Sequence, residues 1–84
     1  MPMELKEIRL ASSYDHDGRL VLIDGSLIAV LVKLSDVHAE LSGHWFLETG
    51  YGVVRNKQPT FKDLKAAVDW IESEVSRSDS SEWI

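Results

Sequence analysis

Two apolar runs flank Asp24-Gly25-Ser26, and neither alternates with polar residues as a half-wet strand would. Arg19-Leu-Val-Leu-Ile-Asp24 leads into the turn, and Leu27-Ile-Ala-Val-Leu-Val-Lys-Leu34 returns from it. Asp-Gly between apolar runs is a strong hairpin signal, because a type I′ turn needs positive φ and glycine supplies it without a Cβ clash. The turn centres on Asp24-Gly25 or on Gly25-Ser26, and uninterrupted pairing gives the same two faces either way. Val21, Ile23, Ile28, Val30, Val32 and Leu34 fall on one face. Leu20, Leu22, Leu27, Ala29 and Leu31 fall on the other. An antiparallel sheet with one wet side carries polar residues at every second position. This hairpin does not, so each of its faces needs a cover.

The flanking segments supply further strands and one helix. Glu4–Ala11 fits either a strand, through Ile8 and Leu10, or a short helix through Leu5 and Ile8; the alternation favours the strand. Ser12–Gly18 reads as a loop. Ser35–Gly43 connects two elements, with a single helical turn over Asp36–Leu41 capped by Ser35. His44-Trp-Phe-Leu-Glu-Thr49 is aromatic and β-prone. Alternation there sets Trp45 and Leu47 against His44, Phe46 and Glu48. Gly50-Tyr51-Gly52 marks a bend, after which Val53-Val54 resumes the strand. From Thr60 to Ser76, Phe61, Leu64, Val68, Ile71 and Val75 recur at spacings of three and four and draw one apolar stripe down a helix. Thr60 is its expected N-cap, with Asp63 at the N3 position.

The predicted fold is α+β: an antiparallel β-meander of four or five strands with one C-terminal α-helix packed on one face. Residues 1–76 form a single domain and residues 77–84 a flexible, serine-rich tail. One helix shields one face of a small sheet. The N-terminal and aromatic strands must curl over the other, or a second copy must cover it.

Charge and composition narrow the partners. Nine Lys and Arg against fourteen Asp and Glu give a formal charge of −5, poorly suited to nucleic acid or to an anionic membrane. The absence of cysteine excludes disulfides, thiolate catalysis and Cys-ligated zinc. The N-terminus does not read as a signal peptide, and no apolar run approaches the ~20 residues of a membrane helix. A cytoplasmic protein is the expectation.

Candidate chemistry is sparse. Asp15-His16-Asp17-Gly18 resembles the start of a calcium loop but has no downstream bidentate Glu, so it reads as a turn. His38 and His44, with Glu40 and Glu48, do not reach zinc-ligand spacing; no metal and no cofactor are expected. None of the serines sits in a Gly-x-Ser-x-Gly elbow, and Gly50 and Gly52 lack the third glycine and following helix of a phosphate loop. Two residue groups remain. His44, Glu48, Tyr51 and Arg55, near the glycine bend, are the candidates for binding or acting on a small ligand. Phe46, Lys62, Lys65 and Trp70 are the candidates for holding a protein partner. Around the latter, Arg55, Lys57, Lys62 and Lys65 make a basic island at the helix start, and acids gather at its end, against the macrodipole preference.

The stretch Gly43-His-Trp-Phe-Leu-Glu-Thr-Gly-Tyr-Gly52 followed by Pro59-Thr-Phe-Lys-Asp-Leu-Lys-Ala-Ala-Val-Asp-Trp-Ile71 resembles the second half of several small bacterial proteins of unknown function. In these a glycine-flanked aromatic strand precedes a Thr-Phe-x-x-Leu-x-x-Ala-x-x-Trp-Ile helix. The match covers about a third of the chain and implies no activity. The strands and helix are also similar to small antitoxins of the HicB type, whose strands precede a Thr-x-x-Glu-Ala-like helix. This chain has Asp63-Leu64 and Ala66-Ala67 there and a longer hairpin. The resemblance implies a regulator with a basic toxin partner. The chain therefore reads as a protein-protein interaction or regulatory module acting as a homodimer; whether it is also an enzyme stays open, with a non-enzyme favoured. The alternatives are a small-ligand-binding or catalytic protein and an antitoxin-like regulator.

Overall fold

The computed structural model describes residues 3–11 and 14–77. Five antiparallel strands follow one another in space as they do in sequence: β1 (Met3–Arg9), β2 (Asp17–Ile23), β3 (Ser26–Lys33), β4 (Trp45–Gly50) and β5 (Thr60–Phe61). Among the described residues one α-helix, α1 (Leu64–Arg77), packs on one face. The α+β meander is thus the architecture, and Met3–Arg9 is a strand. The part of the expected tail beyond Arg77 lies outside the described residues.

The hairpin turn centres on Asp24-Gly25. Both residues have positive φ, 52° and 83°, as a type I′ turn requires. Its strands do not pair without interruption. Val21 faces Ala29 but Leu22 faces Leu27, so Ile28 is an extra residue in β3. This bulge corrects the expected division of faces. Ile28, Ala29 and Leu31 join Val21 and Ile23 in the core beneath α1, with Trp45, Leu47, Ala67, Ile71 and Val75. Leu20 pairs with Val30 and Val32 with Phe46, and these residues turn to the opposite side with Leu22 and Leu27. A second bulge, at Glu48, lets Leu31 face Leu47 while Val30 faces Thr49. An added residue reverses the parity of everything beyond it, and periodicity alone does not locate it.

Gly50 positions the next segment. It pairs with Ala29 on the helix side, and a Cβ at Gly50 would lie 2.3 Å from the Val54 carbonyl oxygen. Two small residues side by side make the hollow into which Val54 is wholly buried. Gly52–Val54 is therefore a 3-10 turn folded over the sheet, not a resumed strand.

The helix begins later than its apolar stripe predicts. Thr60 and Phe61 are drawn into the sheet opposite Phe46 and Trp45. Asp63 then caps α1, its Oδ1 accepting the Ala66 amide at 2.8 Å. Thr60 is not the cap, and Phe61 reaches the core from β5. Its ring meets Trp70 with centroids 5.6 Å apart.

Candidate functional site

The side of the sheet away from α1 is apolar and incompletely covered: Val32 and Leu34 are buried. Leu20, Leu22, Leu27, Val30 and Phe46 are each half-buried there. Gly18 continues this face, and Ile8 and Leu10 lie across it: a Cβ on Gly18 would stand 3.1 Å from Ile8 Cγ1 and 3.3 Å from Leu10 Cδ1. At one end the face deepens into a cleft of about 500 Å³. Val32, Leu34 and Phe46 floor it, while Leu10 and Leu41 stand at its sides. Leu41 ends the 3-10 segment Asp36–Leu41, which forms where the sequence predicts a helical turn, although Ser35 makes no side-chain cap bond to it. Ala39 kinks that segment with φ of 53°.

The rim of the cleft is polar. Asp15 Oδ1 accepts the Ser35 amide and Asp15 Oδ2 meets His38 Nε2, each at 2.8 Å. Burial opposes the charge on Asp15, but the bonds from Ser35 and His38 outweigh it and hold the carboxyl below the ordinary aspartate value. The two hydrogen bonds tie the loop before β2 to the connection after β3. Glu48, on its bulge, and Thr60 complete the rim. An apolar floor with two carboxylates and an imidazole at its edge suits an apolar group carrying a cation or hydrogen-bond donor.

The four residues expected to bind a small ligand do not come together. His44 and Tyr51 lie just outside opposite ends of β4, whose six residues span about 20 Å. His44 is half-buried with its Nδ1 facing no hydrogen-bond partner. Tyr51 is exposed, and its amide donates to the Ile28 carbonyl. Glu48 belongs to the cleft. Arg55 borders a separate polar hollow with Lys57, Glu74 and Arg77. The expected partner-holding residues are divided as well. Phe46 is on the open face, whereas Lys62 precedes α1, Lys65 pairs with Asp69 at 2.7 Å and Trp70 packs on Phe61. Sequence reasoning missed the Asp15–His38 pair because its members are 23 positions apart and only the fold brings their loops together.

Among the described residues no group of three or more His, Asp or Glu side chains gathers as a metal site, and no helix is long and apolar enough to cross a membrane. No family model, curated protein or solved structure matches the chain.

Proposed function

We propose that this chain is a small protein-protein interaction module that acts as a homodimer. The open sheet face carries the reading. Leu20, Leu22, Leu27, Val30 and Phe46 remain half-buried, with α1 committed to the other side. Taking such a side chain from water to full burial is worth roughly 1.5–3 kcal/mol. These are already partly covered, so a partner that completes their burial gains a fraction of that from each of several residues. Contiguous apolar surface on a small domain marks an interaction site. The formal charge of −5 speaks against nucleic acid and anionic lipid as that partner.

Sedimentation equilibrium from low to high micromolar concentration tests this. A reversible monomer–dimer equilibrium is the expected result, and a strict monomer throughout the range removes the reading. A second reading has an observation of its own, the cleft of about 500 Å³ beside Asp15, His38 and Glu48. It falls within the ~300–1,000 Å³ range of small-molecule sites. Hydrophobic amines would then shift the amide resonances of His38 and Phe46, and Asp15→Asn would abolish those shifts. Amines that move neither resonance dispose of it.

A further inference from the structure

The two edges of the sheet are unlike. At one, β5 has only two residues, and β4 is already occupied where it extends beyond them. There the Leu47 amide donates to the Pro59 carbonyl and Gln58 Nε2 to the Glu48 carbonyl, each at 3.0 Å. At the other edge β1 runs for seven residues, and among the described residues no strand pairs with its outer side. A long free strand is a template for another.

The hydrogen-bond phase shows which groups face outward. The Leu10 amide donates to the His16 carbonyl at 2.8 Å, in line with the pairing of Arg9 with Asp17 and Ile8 with Gly18. Bonded and non-bonded pairs alternate along an antiparallel ladder. Ile8, Lys6 and Glu4 therefore turn their main-chain groups to β2. Met3, Leu5, Glu7 and Arg9 turn theirs outward, to an edge beside which no strand lies among the described residues.

The geometry points to a second copy of this chain on that edge, paired antiparallel about Leu5. This rests on the self-association part of the homodimer reading and places the joint at the β1 edge; the open faces are then not covered by the joint but continued from one copy to the next. A two-fold axis through an antiparallel pair stands perpendicular to the sheet, so it passes between one residue and its own symmetry mate. Centred on Lys6, Glu7 or Glu4, the pairing sets like charges directly against each other, which is destabilising. Centred on Ile8, it uses Glu7 and Arg9, already engaged with Arg19 and Asp17 at 3.2 and 3.6 Å. Centred on Leu5, it sets Glu4 opposite the partner's Lys6, and Lys6 opposite the partner's Glu4. Neither Glu4 nor Lys6 has an ion-pair partner among the described residues. Leu5, 38% exposed on the helix side, meets the partner's Leu5. The outward amides and carbonyls of Met3, Leu5 and Glu7 all find partners. The two sheets become one, with both helices on one side and both open faces joined on the other.

A charge-reversal cycle read by sedimentation equilibrium tests the joint. Each of Glu4→Lys and Lys6→Glu places like charges opposite each other twice, and should weaken the dimer by about tenfold. The double variant E4K/K6E restores opposite charges and should recover the original dissociation constant. All four residues of the cycle's two copies are exposed, and circular dichroism checks that each variant folds. Single variants that weaken without recovery in the double overturn the Leu5 register. A dimer indifferent to all three variants overturns the edge joint while leaving self-association intact; loss of that dimer in Leu22→Gln then moves the joint to the open face. A wild-type chain that stays monomeric removes both readings.

Discussion

At the scale of single residues, Glu74 shows how the fold reuses charges that look misplaced in the sequence. The basic island at the start of the helix and the acids at its end run against the macrodipole. In the fold they meet. Glu74 is 9% exposed, the buried charged residue of the described core, with Lys57 Nζ at 2.5 Å and Arg77 Nη1 at 3.0 Å. Lys57 also lies 5.9 Å from the Trp70 ring centroid, so it ties the 55–59 turn to the helix flank. The hydrogen bond from Lys57 holds the Glu74 carboxyl below its ordinary value of 4.5 against the opposing effect of burial, with Arg77 adding to it. A carboxyl lowered in the native state stabilises the fold above its unfolded pKa and loses that contribution as pH falls through the native value. Glu74→Gln should therefore unfold at lower urea than wild type at pH 7, and the gap should close as the pH falls below 4.5. An unchanged gap at acid pH would show that the carboxylate charge is not what matters at this position.

At the scale of elements, the start of the helix was decided by competition. Thr60 and Asp63 are both good capping residues, and the apolar stripe extends back to Phe61. The stripe cannot tell whether Phe61 reaches the core from a first helical turn or from a strand. Pairing with Trp45 assigns it to β5, and the cap moves to Asp63. Asp63→Ala should cost about 1 kcal/mol in urea unfolding, the usual value of an N-cap. Thr60→Ala, at an exposed edge position, should stay within ~0.5 kcal/mol. Equal losses at the two positions would return the cap to Thr60. The hairpin turn, in contrast, was legible beforehand, because positive φ at two successive residues leaves few sequence choices.

At the scale of the whole molecule, one sheet has two unequal apolar sides. The side under α1 is a closed core, in which Ile71 and Leu31 are fully buried. The other side is half-buried and passes into the cleft beside Asp15 and His38. Ile71→Ala should therefore cost roughly 2–5 kcal/mol, as removal of a buried aliphatic group does. Leu22→Gln should cost less than ~1.5 kcal/mol in the monomer, since its site is already partly wet. Urea unfolding at a concentration below association compares them, and a larger loss at Leu22 would mean that the open face is the true core. The candidate ligand set failed to converge for a reason of the same scale. His44, Glu48, Tyr51 and Arg55 are near one another in sequence, but an extended strand sends close neighbours to opposite ends and faces.

Local chemistry by itself determined the hairpin turn, the strand order of a meander, the amphipathic helix and the excess of apolar surface over what one helix covers. These follow from φ limits, short connections and residue periodicity, which act over a few positions. The two bulges, the division of faces, the place of the helix cap and the pairing of Asp15 with His38 were settled only by tertiary structure. Each depends on which distant segment lies alongside: one extra residue at Ile28 reverses the parity of the strand beyond it, and only the neighbouring strand shows where that residue stands.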